Sequence, residues 1–104
     1  MDSNIVEGRI ELKRSDAERL PLLQRLSRIE GQVRGLKTMI EEDRYCLEEI
    51  QQINAITAAL REVALLIIGQ HVAEGVHVAV RHQDGEVAIE DVMRILQSAM
   101  RMRR

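Results

Sequence analysis

Residues 46–71 read CLEEIQQINAITAALREVALLIIGQH. Within them Cys46, Ile50, Ile53, Thr57, Leu60, Ala64, Ile67 and His71 follow a 4-3-4-3-4-3-4 spacing, the repeat of a coiled-coil seam. A second stripe, Ile56, Ala59, Val63 and Leu66, widens the apolar face, so this helix is expected to be covered on more than one side. Cys46 and His71 close the seam at its two ends, 25 residues apart. At about 100° per residue they point to nearly the same side, and at about 1.5 Å per residue they stand about 37 Å apart along the axis. A continuous helix cannot bring them together within one chain, but an antiparallel second copy can. In a two-fold pair crossing near Ala58 and Ala59, with Ala55 also small, Cys46 of one chain sits beside the partner subunit's His71. Isologous symmetry then makes two equivalent sites. Asp43 fits the N-cap of this helix, which places Cys46 in the first turn, where the helix dipole favours a thiolate. Taken singly, a cysteine on such a seam is ordinarily a small buried hydrophobe, and a histidine there a satisfied core residue. One Cys and one His are also too few for a closed zinc site.

On the N-terminal side, Leu22, Leu23, Leu26, Ile29, Val33, Leu36, Met39 and Ile40 recur at three- and four-residue intervals. This predicts a helix over about 18–42, with Pro21 in its first turn, where the missing N–H costs nothing. Gly31 and Gly35 lie inside it at a cost of about 1 kcal/mol each relative to Ala, which points to close helix–helix packing. Residues 1–17 read as a flexible polar arm, and 18–104 as the helical domain. On the C-terminal side, residues 76–82 alternate as a strand would, although a helix end or loop is the preferred reading. Asp84-Gly85 marks a turn. A last helix is expected over about 86–102, with Val87, Ile89, Val92, Met93, Leu96, Ala99 and Met100 on its apolar side. The fold class is all-α, three helices per chain.

Composition narrows the function. Tyr45 is the only aromatic residue and Pro21 the only proline among 104 residues, which disfavours turn-rich β-sandwiches and barrels. The longest purely apolar run, Val63 to Ile68, is far short of a membrane span, and Met1-Asp2-Ser3-Asn4 lacks a signal-peptide layout. A single cysteine suits a reducing compartment, so a cytoplasmic protein without a membrane partner is expected. The formal charge is −2, yet residues 9–37 carry eight basic and four acidic side chains, and residues 38–50 one basic and five acidic. Such asymmetry marks an anionic partner even when the total is negative. No Gly-rich loop, useful carboxylate pair or cleft-forming sheet supports an enzyme.

Arg25, Arg28, Gly31, Arg34 and Gly35, then Asp43-Arg44-Tyr45-Cys46, then Gln52-Ile53, then His71, closely resemble the copper-sensing, nickel/cobalt-sensing and formaldehyde-sensing repressors known as CsoR, RcnR and FrmR. The likeness runs through about residues 20–100. It implies three helices per chain and antiparallel dimers that pair into a disc-shaped homotetramer. It implies repression by binding double-stranded operator DNA without a helix-turn-helix, and release of that DNA by an effector. The copper sensors hold the metal with a cysteine early in the second helix, a histidine of the partner chain and a cysteine four residues further on. The first falls on Cys46 and the second on His71. The third falls on Gly75, which has no side chain to donate, so the copper(I) set is incomplete. His77 and Glu74 are the nearby substitutes. The nickel/cobalt sensors also use a histidine in the N-terminal arm, which is absent here. Tyr45 matches the family's tyrosine before the cysteine, and Asp91 aligns with a carboxylate that orients the ligand histidine, as metal-site histidines require.

Lys13, Arg14, Arg25, Arg28, Arg34, Lys37 and Arg61 are the candidate DNA contacts, through phosphates and indirect readout. Two effectors follow from the same pair of residues. A transition metal, copper(I) first, suits a soft thiol–imidazole set. A reactive electrophile such as formaldehyde needs only the Cys46 nucleophile and a nearby amine, and no third ligand.

Overall fold

The computed structural model describes residues 1–82 and 84–101, with His82 described by its backbone only. Five elements follow in order: strands β1 (Asp2–Val6) and β2 (Arg9–Lys13), then helices α1 (Asp16–Glu41), α2 (Cys46–His82) and α3 (Gly85–Met100). The three helices are those expected. The N-terminus is not: the flexible arm predicted over 1–17 is replaced by an antiparallel hairpin and the first residues of α1, so the fold is mostly helical rather than all-α. Val6 pairs with Arg9 across a two-residue turn. Glu7 and Gly8 both have positive φ, 52° and 74°, as a type I′ hairpin turn demands.

Ser15 caps α1, which starts at Asp16, two residues before the predicted boundary. Its hydroxyl accepts from the Glu18 N–H at 3.2 Å, while the Glu18 carboxylate accepts from the Ser15 N–H at 2.9 Å, a complete capping box. Those hydrogen bonds hold the Glu18 carboxyl below its ordinary pKa. Pro21 therefore lies in the second turn, and the helix runs through it. At the other end Asp43 is not the N-cap of α2. It closes α1 in the left-handed region at φ 51°, with Arg44 N–H donating to Met39 O and Asp43 N–H to Ile40 O, the Schellman pattern. The Tyr45 carbonyl then receives the Glu48 and Glu49 N–H groups, so α2 begins at Cys46 with Tyr45 in the cap position.

α2 is unbroken for 37 residues, about 55 Å at 1.5 Å each. Residues 76–82 belong to it, which removes the strand reading. α1 packs on the N-terminal half of α2, around Leu22, Ile29 and Val63. α3 and the hairpin pack on the C-terminal half, around Ile10, Val78 and Ala88. The chain is thus a flat body of 58 × 28 × 18 Å with a small core at each end. α3 ends at Met100, short of the predicted boundary; Met102 lies outside the described residues. By length and composition alone α2 would pass for a membrane-crossing helix. The core helix of a soluble protein passes the same test.

The glycine reading is also corrected. A Cβ on Gly31 or Gly35 would meet only side-chain atoms, at 3.6 and 3.4 Å, which is ordinary contact. The close approach is at Gly75, where a Cβ would lie 2.8 Å from a Val92 methyl.

Candidate functional site

Continuity of α2 fixes one geometric point: Cys46 and His71 of one chain stand 25 residues apart on one unbroken helix, about 37 Å along its axis. Cys46 is the first residue of α2 and its thiol is exposed, so it is not a buried hydrophobe within this chain. His71 is buried, 8% exposed. Its Nε2 lies 2.5 Å from Asp91 Oδ2 on α3. Asp91, 4% exposed, also accepts from the Ile10 N–H at 3.2 Å on the same oxygen and from Arg94 Nη2 at 3.0 Å on Oδ1. Burial would raise the Asp91 pKa, but the hydrogen bonds from His71, Arg94 and Ile10 outweigh it and hold the carboxyl below its ordinary value. The ionised carboxylate only accepts, so Nε2 must carry the hydrogen. In the neutral ring Nδ1 then keeps its lone pair, and no hydrogen bond to Nδ1 is found among the described residues. An imidazole held by a carboxylate on one nitrogen and open on the other is the arrangement of a ligating histidine.

The other sequence candidates divide. Glu74 is buried and its Oε2 accepts from the Ser3 hydroxyl at 2.7 Å, so it faces the hairpin. His77 is exposed. Gly75 is closed off, because a Val92 methyl occupies the space a side chain would need. Among the described residues no three His, Cys, Asp or Glu side chains gather around one point. The Tyr45 side chain is exposed beside Cys46, far along the rod from the His71–Asp91 pair. Sequence reasoning did not find Arg94, the Ile10 amide or the Gly8 carbonyl, which accepts from Arg94 Nη2 at 2.6 Å. The alternation of Arg9-Ile10-Glu11-Leu12-Lys13 was the available signal for that strand.

Of the basic residues, Lys13, Arg28, Arg34, Lys37 and Arg61 are exposed. Arg25 pairs with Glu62 of α2 at 3.0 Å, and Arg14 donates to Gln70 Oε1 at 2.7 Å.

The chain is thus a three-helix regulator-like fold with a thiol at the start of a long helix, a carboxylate-held imidazole 25 residues further along it and a basic helix alongside. The chain belongs to the metal-sensitive transcriptional repressor family, whose model matches residues 18–98. It is 40% identical over 84 residues to the copper-sensing transcriptional repressor CsoR of Bacillus subtilis, covering 81% of this chain and 83% of that one. The copper-sensing repressor CsoR with Cu(I) from Geobacillus thermodenitrificans superposes with a TM-score of 0.79 at 36% identity, covering 89% of this chain and 97% of that one. The nickel-responsive regulator InrS does so with a TM-score of 0.75 at 35% identity, covering 86% and 97%. These relatives are transcriptional regulators.

Proposed function

We propose that this chain is a cytoplasmic repressor that binds operator DNA and leaves it when copper(I) is taken up between Cys46 of one subunit and the partner subunit's His71. The observation that carries the reading is the His71–Asp91 pair, because it leaves Nδ1 free on a buried, fixed imidazole. The exposure of the seam supports the partner's part in the site. Ile50, Ile53, Leu60 and Ile67 lie open along α2 between the two donors, and an antiparallel copy would cover them. Ala55 and Ala58 are exposed at the midpoint, where two such helices would cross. Pairs of such dimers would form the disc-shaped tetramer that the family resemblance implies. Cys46 and the partner subunit's His71, a soft and borderline donor pair suited to copper(I), would hold the metal, which would supply a link between the two chains. The protein's own part is to present those donors on two rigid rods, so that joining them fixes how the rods cross. The basic faces of the two α1 helices move with that crossing. Emptying a mostly occupied operator needs an effector preference of several kcal/mol, which a metal–thiolate bond supplies.

The closed third position at Gly75 favours one second reading, an electrophile such as formaldehyde. There the Cys46 thiolate adds to the carbonyl carbon, and the oxygen takes up a proton.

Operator release in a DNA-binding assay, with copper(I) and formaldehyde titrated separately, tests both. Cys46→Ala is expected to keep operator affinity and to lose the response. A variant that still responds to both would end the proposal.

A further inference from the structure

We propose that the β1–β2 hairpin is a positioning element for His71, clamped through Arg94, so that hairpin docking and effector binding are coupled. This rests on the reading of His71 as an effector ligand, and goes beyond the family match, which begins at residue 18.

Asp91 Oδ2 is shared by the His71 ring and the Ile10 amide of β2. The other oxygen is held by Arg94, whose Nη2 also donates to the Gly8 carbonyl in the hairpin turn at 2.6 Å. One guanidinium thus ties the turn of the hairpin to the carboxylate that sets the imidazole. The tie is reinforced on both sides of His71 in α2. Arg14, just past β2, donates to Gln70, the residue before His71. Ser3 of β1 donates to Glu74 and accepts from Arg81. The Ile10 side chain enters the core against Val78 and Ala88, next to Gly75, whose missing side chain lets α3 close in through Val92.

The physical consequence is linkage. With the hairpin seated, the carboxylate has three donors and a fixed orientation, and the ring keeps one tautomer with Nδ1 available. With the hairpin lifted, Ile10 and Gly8 withdraw, Arg94 loses one of its two acceptors, and Asp91 is free to turn. Whatever binds Nδ1 must then order the ring itself, at a cost in affinity. By reciprocity, a ligand on Nδ1 must tighten the hairpin by the same factor.

Arg94 suits the test because its side chain is about half exposed, so removing it hollows no core. Arg94→Ala, Arg94→Lys and His71→Ala are compared with the unaltered full-length chain. Amide exchange of Ile10 and the ¹⁵N signals of the His71 ring are read in metal-free protein, and copper(I) affinity by competition with a chromophoric chelator. Arg94→Ala is expected to speed Ile10 exchange about tenfold, to let the ring populate both tautomers, and to weaken copper(I) about 10- to 100-fold, as loss of an orienting partner does elsewhere. Arg94→Lys should restore part of all three. Copper(I) should slow Ile10 exchange in the unaltered chain. Faster Ile10 exchange in Arg94→Ala with copper(I) affinity kept within twofold overturns the coupling and leaves the effector site standing. Unchanged Ile10 exchange in Arg94→Ala overturns the clamp. Unchanged copper(I) affinity in His71→Ala removes the effector reading, and the coupling with it.

Discussion

At Asp91 three donors converge on two oxygens, and the buried carboxylate stays ionised because of them. Hydrogen bonds to a charged group contribute about 1.5–3 kcal/mol each. Asp91→Asn keeps the shape but loses the charge that all three donors face. We expect it to cost about 2 kcal/mol at neutral pH, measured by urea unfolding at fixed protein concentration. The sign with pH follows from the direction of the shift. A carboxyl whose folded pKa is depressed stabilises the protein fully above its ordinary value, 3.8, and loses that contribution as pH falls through the lower folded value. The gap between the unaltered chain and Asp91→Asn should therefore narrow below about pH 4. A gap that widens on acidification would contradict the assignment. His71 was legible in the sequence from its place on the seam, and Asp91 from the family likeness. Arg94 and the Ile10 amide were not, because their roles arise where β2 crosses α3, more than 80 residues apart in sequence for Ile10 and Asp91.

Helix α1 turns its apolar residues Leu22 and Ile29 toward α2 and leaves Arg28, Arg34 and Lys37 exposed. Arg25 sits at the edge of this face, partly neutralised by Glu62. An exposed pair of that kind contributes only about 0–1 kcal/mol, so phosphate can displace the carboxylate. Arg28 has no such competitor among the described salt bridges. Arg28→Ala is accordingly expected to weaken operator binding more than Arg25→Ala. Each should lower the steepness of the salt dependence by about one for every phosphate the variant no longer neutralises. Equal affinity and slope across 50–200 mM salt in both variants would move the DNA face elsewhere. The element boundaries show where sequence reading reached its limit. Periodicity found all three helices, since burial of one face repeats every three to four residues. It placed Asp43 wrongly, because an acidic residue between two helices serves equally as a start signal or, in the left-handed region, as a stop. It missed the hairpin because two five-residue strands joined by Glu7-Gly8 carry little apolar area and lack the usual Asn-Gly or Asp-Gly turn.

Taken whole, the chain buries little of what it carries. Ile10, Leu22, Ile29, Val63, Val78 and Ala88 form its two cores, while Ile50, Ile53, Leu60, Leu65 and Leu66 on α2 and Ile89, Met93 and Leu96 on α3 remain exposed. Exposed apolar stripes are the surfaces through which subunits associate in other proteins, and two separate stripes fit the proposed assembly through two surfaces. Ile53 lies outside the chain's own core, so Ile53→Glu tests assembly without disturbing α1–α2 packing. The expected outcome is a smaller species by light scattering, with copper(I) affinity abolished because the neighbouring subunit is gone. An assembly of unchanged size would show that this seam does not join the subunits.

Periodic apolar spacing along 46–71 was enough to specify a long helix, its open face and the distance separating thiol from imidazole, since all three depend on local backbone geometry. The chemistry around His71 was not available at that level. It depends on a hairpin, a glycine and a distant arginine meeting over one carboxylate, and such meetings are set by packing between elements that share no sequence period.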